Sequence, residues 1–156
     1  MMSELPVFTV EDLESVPPFE HASFDNDDAV SLGLIAVGVI RKHHADLAVR
    51  IVLRGEPVFV AKLGTTGAGN DPWLAGKAAV AERFGEPSLL VRRRHEAAGT
   101  AFTDRSDFDH QLFRAHGGAV PIFVRGEVVG SITMSGEPDV VDHAVVAETI
   151  RRYHEA

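Results

Sequence analysis

Two pairs of β-rich runs, each joined by the tripeptide Arg-Gly-Glu, constrain the fold of this chain most strongly. The four runs span Leu47 to Leu53, Pro57 to Leu63, Ala119 to Val124 and Val128 to Ser135. The tripeptide stands at 54–56 and again at 125–127. A glycine in so short a connection is typical of a β-hairpin. Because the strands of a hairpin run antiparallel, the pattern argues against a doubly wound parallel sheet.

Helical patterns and one more strand complete the element order. A short strand is predicted from Phe19 to Phe24, and a leader helix capped by Thr9 precedes it. Further helices are predicted over Asp27 to His44, Pro72 to Gly85, Pro87 to Ala97 and Pro138 to Tyr153. The segment Thr100 to His116 is predicted to be mainly loop, with a short helix near Phe108 to Arg114. We therefore expect an α/β (α+β) fold with a five-stranded, mainly antiparallel sheet flanked by helices. Residues 1–156 are predicted to form one domain, with 1–18 as the leader.

The helix over Asp27 to His44 is apolar nearly all round, which predicts burial on more than one side. Asp25-Asn26-Asp27-Asp28 supplies capping oxygens and negative charge at its start. Ala29, Gly33 and Ala36 share one face of this helix. A stripe of small side chains lets a neighbouring backbone approach closely.

Composition excludes several classes of partner. The chain of 156 residues has no cysteine and a formal net charge of -8. The absence of thiolates excludes a cysteine-based metal site, and the negative charge argues against nucleic acid and anionic membranes as partners. The N-terminus shows no signal peptide. These features favour a cytoplasmic protein, in which the basic run Arg92-Arg93-Arg94-His95 is a solvated helix face or a subunit contact.

The glycine-rich segment from Gly64 to Asn70 lies between a strand and a helix, where phosphate-binding loops occur. The spacing of Gly64 and Gly69 copies half of a Walker A motif. Asn70-Asp71 stands where the motif needs Lys-Ser or Lys-Thr, and the Asp71 carboxylate would repel a phosphate. We therefore predict a structural turn that brings the loop close to a neighbour or a ligand.

The next helix carries one charged residue in its apolar stripe. Trp73, Lys77, Val80 and Phe84 recur at helical spacing on one face. In one interpretation the Lys77 stem lies along apolar surface and its ammonium stays in water. In the other, this face lines a pocket or a subunit interface, where Lys77 meets a carboxylate.

Histidines and serines supply further candidates. His143 falls on the inward face of the last helix with Val146 and Ile150, which favours a core or interface histidine over a haem ligand. Ser88 and His116 are kept as candidate ligand-binding or interface residues, although no motif surrounds them. No Gly-x-Ser-x-Gly elbow supports a hydrolase. No metal site is predicted, since Asp107-x-Asp109-His110 lacks a fourth ligand.

A series of short motifs resembles one family in this order along nearly the whole chain. The motifs are Gly69-Asn70-Asp71-Pro72-Trp73, Lys77, Arg83-Phe84 to Ser88, His116-Gly117-Gly118, Pro121-Ile122, Gly130-Ser131-Ile132-Thr133, Ser135-Gly136 and Asp142-His143. Together they resemble an uncharacterised branch of the GlcG/HbpS-like group, also called the haem-degrading domain family. The resemblance implies a profilin-like fold, homo-oligomers (dimer or higher) and, in some relatives, haem binding or degradation.

Three positions depart from that branch. Gly76 stands where a basic residue usually precedes the lysine, Pro87-Ser88 replaces a serine pair, and Glu137 replaces a leucine. These departures affect any polar site that uses the missing arginine and serine. They leave the loop, Trp73 and Lys77 in place.

Three functions stay open at this stage. The first is an oligomeric binding module that holds a small ligand or partner. The second is a haem-binding or haem-degrading protein with His143 or His116 as axial ligand. The third is an interaction protein whose helix faces serve assembly alone. The predicted ligand-binding or interface residues are Asn70, Trp73, Lys77, Ser88, His116 and His143.

Overall fold

The computed structural model describes residues 4–156, in which five strands and five α-helices follow the predicted alternation. The strands are β1 (Phe19–His21), β2 (Ala48–Leu53), β3 (Glu56–Lys62), β4 (Ala119–Val124) and β5 (Glu127–Ser135). The helices are α1 (Val10–Glu14), α2 (Asn26–Lys42), α3 (Asp71–Phe84), α4 (Ser88–Ala97) and α5 (Asp139–Glu155). Residues 1–3 of the predicted leader lie outside this range, so a single domain over 1–156 stays a prediction.

The strands form one sheet in the order β1-β4-β5-β2-β3. Both hairpins are antiparallel, and β2 joins them by pairing antiparallel with β5. Only β1 within this sheet is parallel to its neighbour, with Phe19 opposite Ile122 on β4. The prediction of a five-stranded, mainly antiparallel sheet flanked by helices is therefore confirmed.

The two hairpin turns share one backbone geometry. Each is a two-residue Arg-Gly loop, and the following glutamate already belongs to the next strand. In both turns the arginine and the glycine have positive φ, with values of 50° and 82° at 54–55 and 51° and 80° at 125–126. Positive φ at both central positions matches the twist of the flanking strands. The recurring Arg-Gly pair thus sets the register of both hairpins.

Helices cover both faces of the sheet, and the two faces differ in chemistry. Helices α2 and α5 pack together over one face, where Ile132 and Met134 of β5 enter the main core. Helix α3 packs over the other face, where β5 presents the buried polar residues Ser131, Thr133 and Ser135. Side chains alternate along a strand. One strand therefore supplies an apolar face to the core and a hydroxyl-rich face to α3.

The small-residue stripe of α2 receives an aromatic ring. The Phe59 ring from β3 lies over Gly33 so closely that a Cβ at position 33 would clash with it. The stripe therefore lets a neighbour approach the helix closely, as predicted, but the neighbour is the Phe59 side chain and not a backbone. No helix among the described residues is both long and apolar enough to cross a membrane.

The leader helix α1 is held by its cap and by packing against α4. Thr9 accepts a hydrogen bond from the Asp12 amide, and the Asp12 carboxylate accepts one from the Thr9 amide. This reciprocal arrangement is a capping box. A small apolar cluster then joins the leader to the body of the protein: Phe8, Val10, Leu13, Leu89, Leu90 and Val140.

The segment 100–116 is mainly loop, as predicted, but it lacks the short helix expected within it. A single 3-10 turn at Phe102–Asp104 and further turns occupy it, so the helix predicted over Phe108 to Arg114 is wrong. The Asp109 carboxylate accepts a hydrogen bond from the Gln111 amide, and such local bonds compete with helix formation. The aromatic rings of the segment instead pack into one cluster with α3: Phe84, Phe102, Phe108 and Phe113.

Candidate functional site

An open cavity of about 320 Å³ lies where the start of α3, the loop after β5 and the start of α5 meet. Its lining is mainly polar and consists of Asn70, Trp73, Lys77, His116, Ser135, Gly136, Glu137, Asp139 and Asp142. We call it the polar cavity. It brings together four residues predicted from the sequence: Asn70, Trp73, Lys77 and His116.

A buried ion pair forms the floor of the polar cavity. Lys77 Nζ lies 2.7 Å from Asp142 Oδ2 and donates a second hydrogen bond, of 3.0 Å, to the Met134 carbonyl. Only 4% of the Lys77 side chain and 1% of the Asp142 side chain are exposed. An ammonium group has three protons to donate. One N–H of Lys77 therefore has no acceptor among the described residues.

This burial decides between the two interpretations of Lys77. The interpretation in which the Lys77 ammonium stays in water is wrong, because the charged group itself is buried against a carboxylate. Burial raises the pKa of Asp142 to about 6, and the attraction of Lys77 opposes this rise. At neutral pH the carboxylate is therefore still mostly ionised, and the floor of the cavity carries two opposite charges.

Two glycines before β4 let the backbone pass close to the ion pair. Gly118 has a φ of +133°, and a Cβ there would lie 2.5 Å from the Met134 carbonyl oxygen and 3.1 Å from Lys77 Nζ. A Cβ at Gly117 would clash with the Asp139 carbonyl. A positive φ and close neighbours both favour glycine. The pair Gly117-Gly118 thus shapes the cavity by having no side chains.

The glycine-rich loop before α3 positions a polar rim. Gly64 has a φ of +64° and lies so close to Asp46 that a Cβ would clash with its carboxylate. Further along, Asn70 Oδ1 accepts a hydrogen bond of 3.0 Å from the Gly67 amide. Asn70 Nδ2 donates one of 3.3 Å to Ser135 Oγ. The loop therefore acts as a turn that fixes an amide and a hydroxyl at the cavity.

One wall of the polar cavity is aromatic. The rings of Trp73 and His116 meet edge to face with centroids 5.2 Å apart. The Arg114 guanidinium lies over the Trp73 ring, 4.3 Å from its centroid, which is a cation–π geometry. His116 is exposed, yet the partial loss of water at this wall lowers the pKa of its imidazole. The ring is therefore neutral at pH 7.

Asp139 closes the rim between the glycine pair and α4. Its Oδ2 accepts hydrogen bonds from the Gly117 amide, at 2.9 Å, and from the Arg92 guanidinium. Burial opposes ionisation of Asp139, but these two donors outweigh it and lower the pKa of the carboxyl. Asp139 is thus a fixed negative charge that also orients the backbone beside His116.

A second cavity of about 500 Å³ lies beyond the wall formed by Trp73 and His116. Its lining is Trp73, Arg92, Glu96, Ala101, Phe102, Thr103, His110, Phe113, Arg114, Ala115 and His116. We call it the aromatic cavity. The two cavities share only Trp73 and His116, so these rings form the partition between them.

Ser88 and His143 line neither cavity. Ser88 Oγ is buried and accepts a hydrogen bond of 3.0 Å from the Ala119 amide, which fastens the start of α4 to β4. The buried His143 ring meets Phe8 of the leader edge to face at 4.8 Å, and its Nδ1 has no hydrogen-bond partner among the described residues. The structure therefore separates these two candidates from Asn70, Lys77 and His116.

The burial of His143 predicts a loss of stability in acid. Burial lowers the pKa of its imidazole to about 4, from an ordinary value of 6.5. Between these values the unfolded chain binds a proton that the folded chain does not, so the free energy of unfolding falls as the pH falls. We expect His143→Leu to gain about 2–3 kcal/mol relative to the wild type between pH 7 and about pH 4.5.

Urea denaturation of both proteins at the two pH values measures this difference. The raised pKa of Asp142 acts in the opposite direction, since the folded chain keeps that proton longer. Because Asp142 is present in both proteins, its effect cancels in the comparison. If the free energy of unfolding changes equally with pH in the wild type and in His143→Leu, the His143 ring is not held in a neutral form by burial.

The other polar candidates have partners within the chain. No group of three or more metal-binding side chains occurs in residues 4–156. In the segment Asp107-x-Asp109-His110, the Asp107 carboxylate pairs with Arg105 at 2.6 Å, and His110 Nε2 contacts the Arg105 carbonyl. Outside these candidates, His43 follows the end of α2, and its Nε2 lies 2.7 Å from a Glu148 carboxylate oxygen.

Comparison with known proteins now identifies the family. The profile described as "Haem degrading protein HbpS-like" matches residues 24–151, which is most of the chain. The chain belongs to the HbpS-like haem-degrading protein family. The resemblance to the GlcG/HbpS-like group is therefore confirmed, and the matched range contains every residue that lines the two cavities.

Similar proteins agree with this family assignment. A UPF0303 protein of Streptomyces coelicolor is 42% identical over 131 residues, which are 83% of this chain and 83% of that protein. The crystal structure of the Ybr137w protein superposes with a TM-score of 0.84 at 22% identity, covering 96% of this chain and 90% of that chain. The structure of a PduOC:heme complex gives a TM-score of 0.68 at 18% identity, covering 83% and 94%. Because these two identities are low, the comparison with the solved structures shows a shared fold and nothing about function.

Sequence reasoning missed the acidic half of the polar cavity. Asp142 pairs with Lys77, and Asp139 holds Gly117 and Arg92, yet neither carboxylate is among the predicted site residues. A signal was present, because residues three apart on a helix share a face. Asp139 and Asp142 lie on one face at the start of α5. That face is therefore suited to meet Lys77, which interrupts the apolar stripe of α3.

Proposed function

We propose that this protein is a binding module that holds a small polar molecule in the polar cavity. The buried Lys77–Asp142 pair at the floor of that open cavity carries the proposal. A buried ion pair is often no more stable than apolar residues of the same volume. Its presence where a ligand can reach it therefore favours a role in binding over a role in folding alone.

The unfilled hydrogen-bonding capacity of the cavity describes the ligand. Lys77 has one N–H without an acceptor, and the Ser135 hydroxyl proton has no acceptor among the described residues. These two donors suit a carbonyl or carboxylate oxygen. The carboxylates of Glu137 and Asp139 suit hydroxyl or amino groups. A cavity of about 320 Å³ is at the small end of ligand sites.

Substitution of Ser135 tests this proposal with little damage to the fold. We expect native mass spectrometry of protein purified directly from cells to show a small molecule bound to the wild type, with lower occupancy in Ser135→Ala. Loss of one hydrogen bond to a ligand corresponds to an affinity decrease of about 3- to 10-fold. The affinity of the molecule so identified is then measured for both proteins by calorimetry.

Ser131→Ala is the matched control. Ser131 lies on the same face of β5, but its hydroxyl donates to Glu82 and it does not line the cavity. This variant should keep wild-type occupancy. The proposal fails if no bound molecule is found and no hydroxy acid, amino acid or small sugar raises the melting temperature of the wild type.

Haem binding is a second candidate, and His116 supports it better than His143. His116 is exposed and has a neutral ring, which is the form that binds metals, whereas His143 is buried beneath Phe8. The family description and the PduOC:heme complex among its structural neighbours add to this support. His116 would hold the iron, and bound haem would supply a redox-active metal centre.

Haemin titration tests the second candidate. We expect a shifted Soret band on the wild-type protein that is lost in His116→Ala and kept in His143→Leu. Loss of the shift in His143→Leu alone would identify the other histidine as ligand. The absence of a shift in the wild type would remove haem from consideration and leave the polar ligand.

Assembly into homo-oligomers forms part of the proposed function. Two large apolar side chains one turn apart on α2, Val30 and Leu34, are exposed, and Leu34 is 62% exposed. Exposed apolar patches are typical of subunit contacts. The mass of the protein in solution, measured by light scattering, distinguishes a monomer from a dimer or higher oligomer.

A further inference from the structure

We propose that the aromatic cavity is a separate binding site for a carboxylate attached to a planar ring, and that Arg114 recognises the carboxylate. This site lies beyond the Trp73–His116 partition and does not use the Lys77–Asp142 pair of the polar cavity. The proposal therefore stands or falls independently of the ligand proposed above.

The first observation is a guanidinium without an acceptor. Arg114 forms no ion pair with any described residue, and its Nε is buried without a hydrogen-bond partner. Its contact is with the face of Trp73, 4.3 Å from the ring centroid. The N–H groups of a guanidinium lie in its own plane, so contact with the face of an indole does not use them as donors. The terminal N–H groups therefore stay free to match the two oxygens of a carboxylate.

Only two arginines, Arg92 and Arg114, line the aromatic cavity, and Arg114 is the one without a carboxylate partner among the described residues. Arg92 pairs with Asp139 and Glu96, and Arg105 pairs with Asp107. The other two residues of the basic run also have carboxylate partners, which are Glu96 for Arg93 and Glu14 and Glu86 for Arg94. Arg83 also forms no ion pair and lies over the Phe108 ring, but it does not line the aromatic cavity. Arg114 combines a guanidinium without a carboxylate partner with a place in the cavity wall, so it is available to a foreign anion.

The second observation is the space made for this arginine. Its backbone amide donates a hydrogen bond of 3.0 Å to the Gly76 carbonyl. A Cβ at Gly76 would lie 2.6 Å from Arg114 Cγ and 2.8 Å from Cδ. A glycine within a helix costs about 1 kcal/mol relative to alanine. At position 76 that glycine allows the Arg114 stem to lie against α3, which aims its guanidinium over Trp73.

The third observation is the chemistry of the cavity walls. Aromatic rings of Trp73, Phe102 and Phe113 line a volume of about 500 Å³, which suits a flat apolar body. Of the charged lining residues, Arg92 and Glu96 are paired with each other at 3.2 Å. Arg114 therefore supplies the uncompensated positive charge. Rings with one free guanidinium favour an aromatic acid.

Benzoate and its neutral counterpart benzamide test the proposal. Trp73 is the only tryptophan in the chain and borders the cavity, so its fluorescence reports binding. We expect saturable binding of benzoate, with benzamide weaker by about tenfold or more, since a charged hydrogen-bonded pair is lost. Cyclohexanecarboxylate, which has the charge without the flat ring, should also bind more weakly than benzoate.

Two variants separate the charge from its position. Arg114→Gln removes the guanidinium, and Gly76→Ala keeps it but displaces it from Trp73. Both should weaken benzoate binding by about tenfold. Because the new Cβ of Gly76→Ala must displace the Arg114 stem, circular dichroism checks that this variant is folded before its binding is compared. The matched control is Arg41→Gln, which removes an exposed arginine far from the cavity lining and should bind like the wild type.

The same carboxylate could belong to a free aromatic acid or to a haem propionate, and haemin titration of these variants distinguishes the two sources. Benzoate binding that depends on Arg114 identifies a free acid. Haemin binding that depends on Arg114, with no effect of benzoate, identifies a propionate. Wild-type affinity in Arg114→Gln for both probes, equal binding of benzoate and benzamide, or no saturable binding of either probe to the wild type would overturn the proposal.

Discussion

Lys77→Met is expected to lower the free energy of unfolding by about 3–5 kcal/mol, the loss typical of one partner removed from a buried ion pair. Methionine has a similar length and adapts to apolar surroundings, so the packed volume changes little. The Asp142 carboxylate, 1% exposed, is left without a counter-charge. Urea denaturation at pH 7, followed by far-ultraviolet circular dichroism, measures the loss.

The pH dependence of this variant gives an independent check. Without Lys77 the pKa of Asp142 should rise further above the value of about 6 that it has in the wild type. Over the range from that raised value down to 3.8, the folded chain binds a proton that the unfolded chain does not. The stability of Lys77→Met relative to the wild type should therefore increase as the pH falls from 7 to about 5.

Two further variants make the result specific. In Lys77→Met with Asp142→Asn, no buried charge is left and the amide oxygen can still accept from the Glu137 amide, so most of the stability should return. Lys62→Met removes a lysine whose partner Asp71 is 59% exposed, and it should cost about 1 kcal/mol at most. A Lys77→Met protein as stable as Lys62→Met would contradict the role assigned to the buried pair.

Gly118→Ala should be the second most damaging change, with a loss of about 3 kcal/mol or more. Its φ of +133° strains any side chain, and the new Cβ would lie 2.5 Å from the Met134 carbonyl oxygen. That oxygen also accepts the hydrogen bond from Lys77. We therefore expect the variant to lose both stability and any ligand of the polar cavity.

Gly99→Ala is the control for backbone strain. Gly99 also has a positive φ, of +77°, but a Cβ there meets nothing within 4 Å. This variant should lose about 1 kcal/mol through conformation alone. If Gly118→Ala and Gly99→Ala lose equal amounts of stability in urea denaturation, close packing around the ion pair does not explain the glycine at 118.

Much of the fold was predictable because it depends on local signals. The Arg-Gly turns define both hairpins through the φ angles of two adjacent residues, and Thr9 and Asp25 cap helices through bonds to residues three positions away. The segment 100–116 was not predictable in the same way. There, contacts between rings distant in sequence, such as Phe84 and Phe102, replace local preferences.

The candidate site shows the same division. Lys77 stood out because a charge interrupts an apolar stripe on its own helix. Asp142 lies 65 residues further along the chain, and only the packing of α3 beside the start of α5 brings the two together. His143 had a suitable residue type and an inward position, but whether an inward residue faces a cavity or the core depends on the leader helix that covers it.

The parallel pairing of β1 has a consequence for synthesis of the chain. Phe19 pairs with Ile122, so about 100 residues must leave the ribosome after β1 before its partner strand exists. At a synthesis rate of roughly 10 residues per second, this delay lasts about 10 s. During that time Phe19, which is buried in the finished protein, lacks the partner strand beside which it is buried. The first strand to be made can therefore join the sheet only after β4 has been made, and chaperones that bind apolar segments have that interval in which to reach it.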